Sequence, residues 1–460
     1  RSSPAGKISA PGCKLYSLAG PNDRKRAMAE DSFDVIVIGG GPAGLMAAGS
    51  AAVHGRRTAL FEALPRVGAK LLATGGGRCN LTNTLPADKL MASFGKRGRF
   101  MSPALELLDS CALREFFSDL GVPSHAEDSF HVFPKSEKAL DVQEALLRRC
   151  RVSGVRIFTN CQVESFLFAE ASLPEDAATG DEGHLQTRIL TGVAAQGQVW
   201  QAKAAILATG GIGYPELGGK GSGYDLARQA GHSIVQPVPA LAPLVIKEEW
   251  PRRCAGIVLP RARLWIDQPK CDKSGMAGEL LFTHRGISGP AALDISGEVA
   301  AMLVDRGEVP LRLAPHADRD ANAWRKMVDA WPASAGSRLV RNLVDQVLPS
   351  TLAVEACKLA GSIGEIRAAE LSRRNREVLC QLLAGLPLTC QSTEGFSRAM
   401  VTRGGVDLRG VDPRTLESRL VSGLFFAGEA LDLDGPCGGY NLQWAFSSGM
   451  LAGESAAVAC

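Results

Sequence analysis

Hydrophobic positions along the chain gather into short β-branched runs that end at glycine and lead into stretches of small residues. Asp34-Val-Ile-Val-Ile38 enters Gly39-Gly-Gly41-Pro-Ala-Gly44, and a small-residue pattern then predicts a helix continuing to His54. Arg57-Thr-Ala-Leu-Phe61 predicts a second strand, closed by Glu62. Further on, Ala204 to Gly211 predicts an apolar strand that stops at Thr-Gly-Gly, and Gly423 to Asp432 one that ends in Ala-Gly-Glu. A second glycine-rich turn runs from Asp434 to Gln443, and Trp444 to Ala452 predicts a helix of mostly small residues that starts near Gly438. Strands alternating with helices in this way imply an α/β fold.

The charge-free run from Val35 to Val53 is nineteen residues long, enough to raise the question of a membrane span. Glycines, a proline and alanines fill it where leucines would be needed, so a buried strand and a tightly packed helix explain it better. At 460 residues the chain is expected to hold two or three domains. With 45% apolar and 22% charged residues it has the composition of a soluble globular protein, and a net charge of +3 gives no reason to expect a nucleic-acid binder. Twelve cysteines stand singly, without a CxxC pair or histidines at zinc-ligand spacing. This predicts reduced thiols in a reducing compartment, cytoplasmic or organellar, no secretion and no metal site. It also removes the glycosylation reading of Asn80-Leu81-Thr82. The first 29 residues carry six basic side chains before Met28 and one acid, Asp23, as expected of a transit segment or a disordered leader.

Strand, glycine turn, helix, strand and acid in succession are the parts of a dinucleotide site. Gly39 permits the tight turn, Gly41 lets a pyrophosphate approach the backbone, Gly44 brings helix and strand together, and the helix start offers free amides. Glu62, 23 positions past Gly39, can accept from the ribose hydroxyls. FAD is separated from NAD by the second half: the Gly428-Glu429 step before a glycine-rich helix start, and the Thr209-Gly210-Gly211 strand end. No second complete unit for NAD(P)H is present, since Gly211-Ile-Gly213-Tyr-Pro-Glu216 lacks the third glycine.

Ile38 to Leu45, Gly75-Gly-Gly-Arg-Cys-Asn-Leu-Thr-Asn83, Gly278 to Pro290, Val401-Thr-Arg-Gly-Gly-Val406 and Gly435 to Trp444, in this order, resemble the HI0933-like (BaiN-like) NAD(P)/FAD-dependent oxidoreductases, also called the aminoacetone oxidase family. The resemblance runs from about Phe33 to the C-terminus. It implies a glutathione-reductase-like FAD domain over 31–236 and 401–460, split by an insert at 237–400 with a β-barrel and a helical subdomain. Pro237, Pro239 and Pro243 make the expected linker into the insert, and Ile366 to Leu383 its helical part. The segment Gly221-Ser222-Gly223-Tyr224 departs from the family, which usually has an acid before Gly-Tyr.

Expected FAD contacts are Gly39, Gly41, Pro42, Ala43 and Gly44; Glu62 and Ala63; Lys70, Gly76, Gly77, Arg78, Cys79 and Asn80; Val163; Thr209, Gly210 and Gly211; and Gly428, Glu429, Gly438, Gly439, Tyr440 and Asn441. The loop Ala73–Asn83 would form one wall of the flavin site and Gly435–Gln443 the opposite one. Flavin carries the redox chemistry, so catalytic candidates are few. His284 could serve as an acid or base, with a structural histidine as the alternative, and Tyr440 with Asn441 could orient a carbonyl or merely cap their helix. Cys79 could be a redox thiol only with Cys437, and a small buried side chain is the better reading. Lys96, Arg97 and Arg99, beside Phe94 and Phe100, predict a solvated face. The resemblance implies hydride transfer through flavin N5 to or from a small organic substrate, as enone reduction or amine oxidation, with NADH or NADPH as a possible reductant. A non-catalytic FAD-holding scaffold is the alternative. The oligomeric state is left open.

Overall fold

The structure, a computed structural model, describes residues 14–15, 32–170 and 188–460. Apart from Lys14–Leu15, the expected leader lies outside the described residues. The chain divides into two compact units, one made of residues up to Pro237 and from Arg403 onward, the other of Val238–Thr402.

Val35, Ile36 and Val37 are fully buried in the middle of the sheet, with helices Pro42–Val53 and Tyr440–Ala459 packed against their strand, so the run reads as continuously apolar. Strand Ser32–Ile38 lies between Thr58–Phe61 and Gln198–Leu207, all parallel. Arg156–Thr159 extends the sheet on one side and Leu424–Phe426 on the other, again in parallel. This order is that of a doubly wound dinucleotide fold. Arg188–Ala195 pairs antiparallel with Gln198–Leu207 and with Val163–Glu170. Strand Gln198–Leu207 starts six residues before the expected Ala204, because Trp200 and Ala202 face the core alternately with polar residues before the fully apolar half begins.

Helix Pro42–Val53 buries every residue from Ala43 to Ala52. Helix Tyr440–Ala459, longer at both ends than Trp444–Ala452, packs against it. A Cβ on Gly449 would stand 2.4 Å from the Ala43 carbonyl oxygen, and one on Gly453 2.4 Å from that of Ala47. The missing side chains therefore let the two backbones touch, and that contact is the reason for the small-residue composition of both segments. Among the described residues no helix is long and apolar enough to cross a membrane.

The second unit contains a closed six-stranded barrel, in the order Leu244–Ile246, Gly286–Ser288, Met276–Phe282, Val258–Ile266, Val309–Ala314 and Leu386–Thr393. Helices including Pro290–Arg306, Ala321–Ala335 and Ser350–Leu359 complete it. Of the expected helical stretch Ile366–Leu383, the α-helix occupies Arg373–Ala384, because the Ser372 hydroxyl accepts from the Asn375 amide at 3.1 Å and caps it there. Pro237 and Pro239 lie within a strand, Ile234–Ala240, rather than in an irregular linker.

Two expectations follow from this packing. Gly449→Ala forces a methyl into the contact with Ala43 and should destabilise the protein by about 1–3 kcal/mol, seen as a lower midpoint in urea. His232 is 4% exposed, bonds the Ser418 hydroxyl at 2.8 Å, and is pushed down to about 4 by burial, with Arg188 adding to the shift. Its neutral ring contributes stability that is complete above about pH 6.5 and is lost as pH falls toward 4, since the unfolded chain takes up the proton first. That loss is about 3 kcal/mol and should vanish from the pH dependence of unfolding in His232→Gln.

Candidate cofactor site

Helices Pro42–Val53 and Tyr440–Ala459 both begin at glycine, Gly41 and Gly439, with no side-chain cap. Their first amides are left for something else to satisfy. A Cβ on Gly41, Gly76 or Gly210 would meet nothing within 4 Å, so the backbone there borders open space. Gly39 and Gly44 are different: a Cβ on Gly39 would stand 2.5 Å from the Ala208 carbonyl oxygen, and one on Gly44 1.8 Å from that of Gly39. These two glycines close the turn, whereas Gly41 keeps its outer face clear.

Glu62 ends the Thr58–Phe61 strand beside this turn. Its carboxylate accepts from the Gly40 amide at 2.7 Å and the Leu64 amide at 2.8 Å. Burial pushes its carboxyl above the usual range while these amides pull the other way. The segment that leads to Val163 runs alongside, with the Cys161 amide donating to the Glu62 carbonyl at 2.9 Å and that of Asn160 to Leu64 at 3.0 Å. Val163 is buried at the start of its strand. Thr209 and Gly210 follow the end of Gln198–Leu207, directly beneath Gly39.

The Ala427-Gly428-Glu429 step is pinned by the last helix. The Trp444 indole donates to the Gly428 carbonyl at 3.1 Å, and the Gly428 amide donates to the Ser448 hydroxyl at 2.9 Å. Gly428 has φ 68°, and a Cβ there would press on that of Ala43 at 2.8 Å, so a larger residue is excluded on two counts. Glu429 faces Lys70 at 2.8 Å, an ion pair with side chains 20% and 26% exposed that joins positions 359 apart.

The two expected walls touch. The Asn83 side-chain NH2 donates to the Gly438 carbonyl at 3.0 Å, and a Cβ on Gly439 would stand 2.5 Å from the Thr82 backbone. Asn441 does not face outward: its carbonyl oxygen accepts from the Gly435 amide at 2.9 Å and its NH2 donates back to the Gly435 carbonyl at 2.8 Å, which ties its own loop. Tyr440 is buried, with its ring 6.2 Å from Phe94 and 6.3 Å from Phe130. Arg78 spends its charge locally, bonding Glu137 and, at 3.1 Å, Glu127, with its guanidinium 4.0 Å above the Phe133 ring. Cys79 is fully buried and its thiol is pushed up to about 12 by desolvation, so it stays neutral at physiological pH. Among the described residues no cysteine is joined in a disulfide. His284 lies exposed on the Thr283–Arg285 turn of the second unit.

Several contributors escaped the sequence reading. Arg97, expected on a solvated face, bonds the carboxylate of Asp432, which is 4% exposed. Arg403 reaches both carboxylate oxygens of Asp434 at 3.1 Å. The buried hydroxyls of Thr209 and Tyr224 have no hydrogen-bond partner, and burial, with Glu429 and Asp432 adding, pushes the Tyr224 phenol up. Orphaned hydroxyls, two uncapped helix starts, open glycine faces and a carboxylate beside the first turn form a donor set that fits FAD. Among the described residues no cluster of His, Cys, Asp or Glu could hold a metal ion.

The model described as HI0933-like protein Rossmann domain matches residues 33–455. A 3-dehydro-bile acid delta(4,6)-reductase of Clostridium scindens is 33% identical, over 92% of this chain and 98% of that one. A ribosomal RNA dihydrouridine synthase of Haemophilus influenzae is 31% identical, over 90% and 96%, and one of Escherichia coli 29%, over 91% and 96%. A solved 3-ketosteroid-delta4-(5alpha)-dehydrogenase of Rhodococcus jostii RHA1 is 18% identical, with a TM-score of 0.46 over 93% and 97%. With its match running nearly end to end, the chain belongs to the HI0933-like family of FAD-dependent flavoprotein oxidoreductases.

Proposed function

We propose that this protein is an FAD-dependent reductase of a carbon–carbon double bond conjugated to a carbonyl. The observation that carries this reading is the pair of activities named for its full-length relatives. A delta(4,6)-reductase of a 3-oxo bile acid saturates ring double bonds in line with the 3-carbonyl. A dihydrouridine synthase saturates the C5–C6 bond of uracil, which is conjugated to the C4 carbonyl. One chemistry covers both names, whereas amine oxidation has no counterpart among them.

FAD would supply the hydride chemistry when bound. The chain's own part is binding and shielding. The amides at the Gly41 helix start would hold the pyrophosphate, Glu62 the adenosine ribose, and Lys70 with Glu429 the ribityl chain. The Gly75–Asn83 and Gly435–Asn441 loops would exclude water around the ring, and the amides following Gly439 would favour negative charge there. NADH or NADPH would be a diffusible reductant, in keeping with the lack of a second complete nucleotide motif.

A second reading keeps the chemistry and enlarges the substrate. Two full-length relatives are named for ribosomal RNA, so uridine within RNA is the competing acceptor. The modest net charge does not speak against it, because charge over the whole surface says little about local contact with one nucleotide.

Anaerobic spectroscopy tests the reading. FAD-loaded protein should bleach with NADPH or NADH, and a 3-oxo-4,6-diene steroid or 2-cyclohexenone should restore the yellow colour. Unmodified ribosomal RNA, followed by nucleoside mass spectrometry for a gain of two hydrogens, reads out the second acceptor. A flavin that small amines reduce and no conjugated carbonyl reoxidises would sink the proposal. Gly41→Val should fold normally, since its φ is −77° and its Cβ position is empty, yet should weaken FAD binding by about tenfold to a hundredfold.

A further inference from the structure

Beside the glycine wall stands a histidine that no expectation had singled out. Strands Ser124–Glu127 and His131–Pro134 form a hairpin, and His131 pairs on its other edge with Asn83, whose side chain holds the Gly438 carbonyl. At the hairpin turn Asp128 accepts from the His131 amide at 3.0 Å and meets the ring nitrogen Nδ1 at 2.9 Å. The opposite ring nitrogen, Nε2, is 3.5 Å from the point where a Cβ on Gly438 would stand, and the same point is 3.1 Å from the Phe130 ring and 3.4 Å from the Tyr440 ring. Phe130 packs edge-on against the imidazole, centroids 4.8 Å apart. The ring is thus oriented by a carboxylate on one side, fixed by an aromatic on its face, and turned with its other nitrogen toward the Gly438 turn. Its side chain is 37% exposed, which leaves it accessible to a substrate.

Saturating a double bond conjugated to a carbonyl requires a hydride at the far carbon and a proton at the carbon next to the carbonyl. Resting on the reading given above, we propose that His131 is the proton donor of this reaction, oriented by Asp128. The imidazolium Nε2–H bond breaks, the new C–H bond forms at the carbon adjacent to the carbonyl, and the electron pair stays on a neutral ring whose remaining proton, on Nδ1, is held by Asp128. The hydride is the share of the reduced cofactor, with reduced nicotinamide as the ultimate reductant. Histidine changes charge between about pH 5 and 8, as such a donor must.

Other charged groups around the ring are occupied. Glu127, directly across the hairpin, is taken by Arg78, as is Glu137, which also meets His125 at 3.2 Å. Asp434, ahead of the Gly438 turn, is held by Arg403. Asp128 is the carboxylate left to the imidazole, and its bonds to the His131 amide and ring hold its carboxyl below the usual range.

Three measurements test the assignment. In His131→Gln, FAD affinity and reduction by NAD(P)H should be unchanged, while single-turnover reoxidation by 2-cyclohexenone should slow by about a hundredfold or more and lose its fall with rising pH. In Asp128→Asn, single-turnover reoxidation should slow by about tenfold with reduction of the flavin unchanged, because the ring loses the carboxylate that orients it. Independently of turnover, 15N NMR of the FAD-loaded protein should show the neutral ring protonated on Nδ1 in the wild type and should lose that preference in Asp128→Asn. Reoxidation of His131→Gln at the wild-type rate and pH profile overturns the proposal alone. A wild-type flavin that no conjugated carbonyl reoxidises overturns it together with the functional reading.

Discussion

The contact between helices Pro42–Val53 and Tyr440–Ala459 is the constraint from which the rest of the first unit follows. Ala43 meets Gly449 and Ala47 meets Gly453, so the helices run in the same direction with their backbones touching. The second helix starts eight residues before the level of Pro42, which carries its start roughly 12 Å further out. One helix therefore ends its dipole at the turn suited to a pyrophosphate, and the other reaches past it to the loops that would surround a ring. Gly428 sits between them, in contact with Ala43 and bonded to Trp444 and Ser448. A single glycine seam thus sets the spacing between two halves of a ligand site.

Electrostatics around the site is arranged by pairing. Lys70 meets Glu429, Arg97 meets Asp432, Arg403 meets Asp434, and Arg78 meets Glu127 and Glu137. Paired side chains cancel at a distance, and what remains directed into the open space is the partial positive charge of two helix starts. Such a field suits a ligand that gains negative charge on reduction.

Much of this was legible in the sequence, because glycine at a strand end and small residues along a helix report backbone proximity directly. The first turn, the Glu62 position, the Ala-Gly-Glu step and the close approach of the Ala73–Asn83 and Gly435–Gln443 loops could all be read from such residues. Pairings across long separations could not be. Nothing local in Lys96 to Arg99 indicates that Arg97 seeks a buried acid more than 300 residues later, and Asn441 looks outward until the loop it ties is seen. The Tyr224 phenol became visible only as a buried hydroxyl, and His131 only when its hairpin came to lie against Asn83. Strand length was misjudged at Trp200 because half of that strand alternates while the other half does not.

The seam also has a consequence for biosynthesis. Its two sides are separated by about 400 residues, and a whole second folding unit is made between them. Because the last helix is also the last segment to be made, the entropic cost of closing that long loop is met late. A chain that stops before Tyr440 lacks one whole side of the seam.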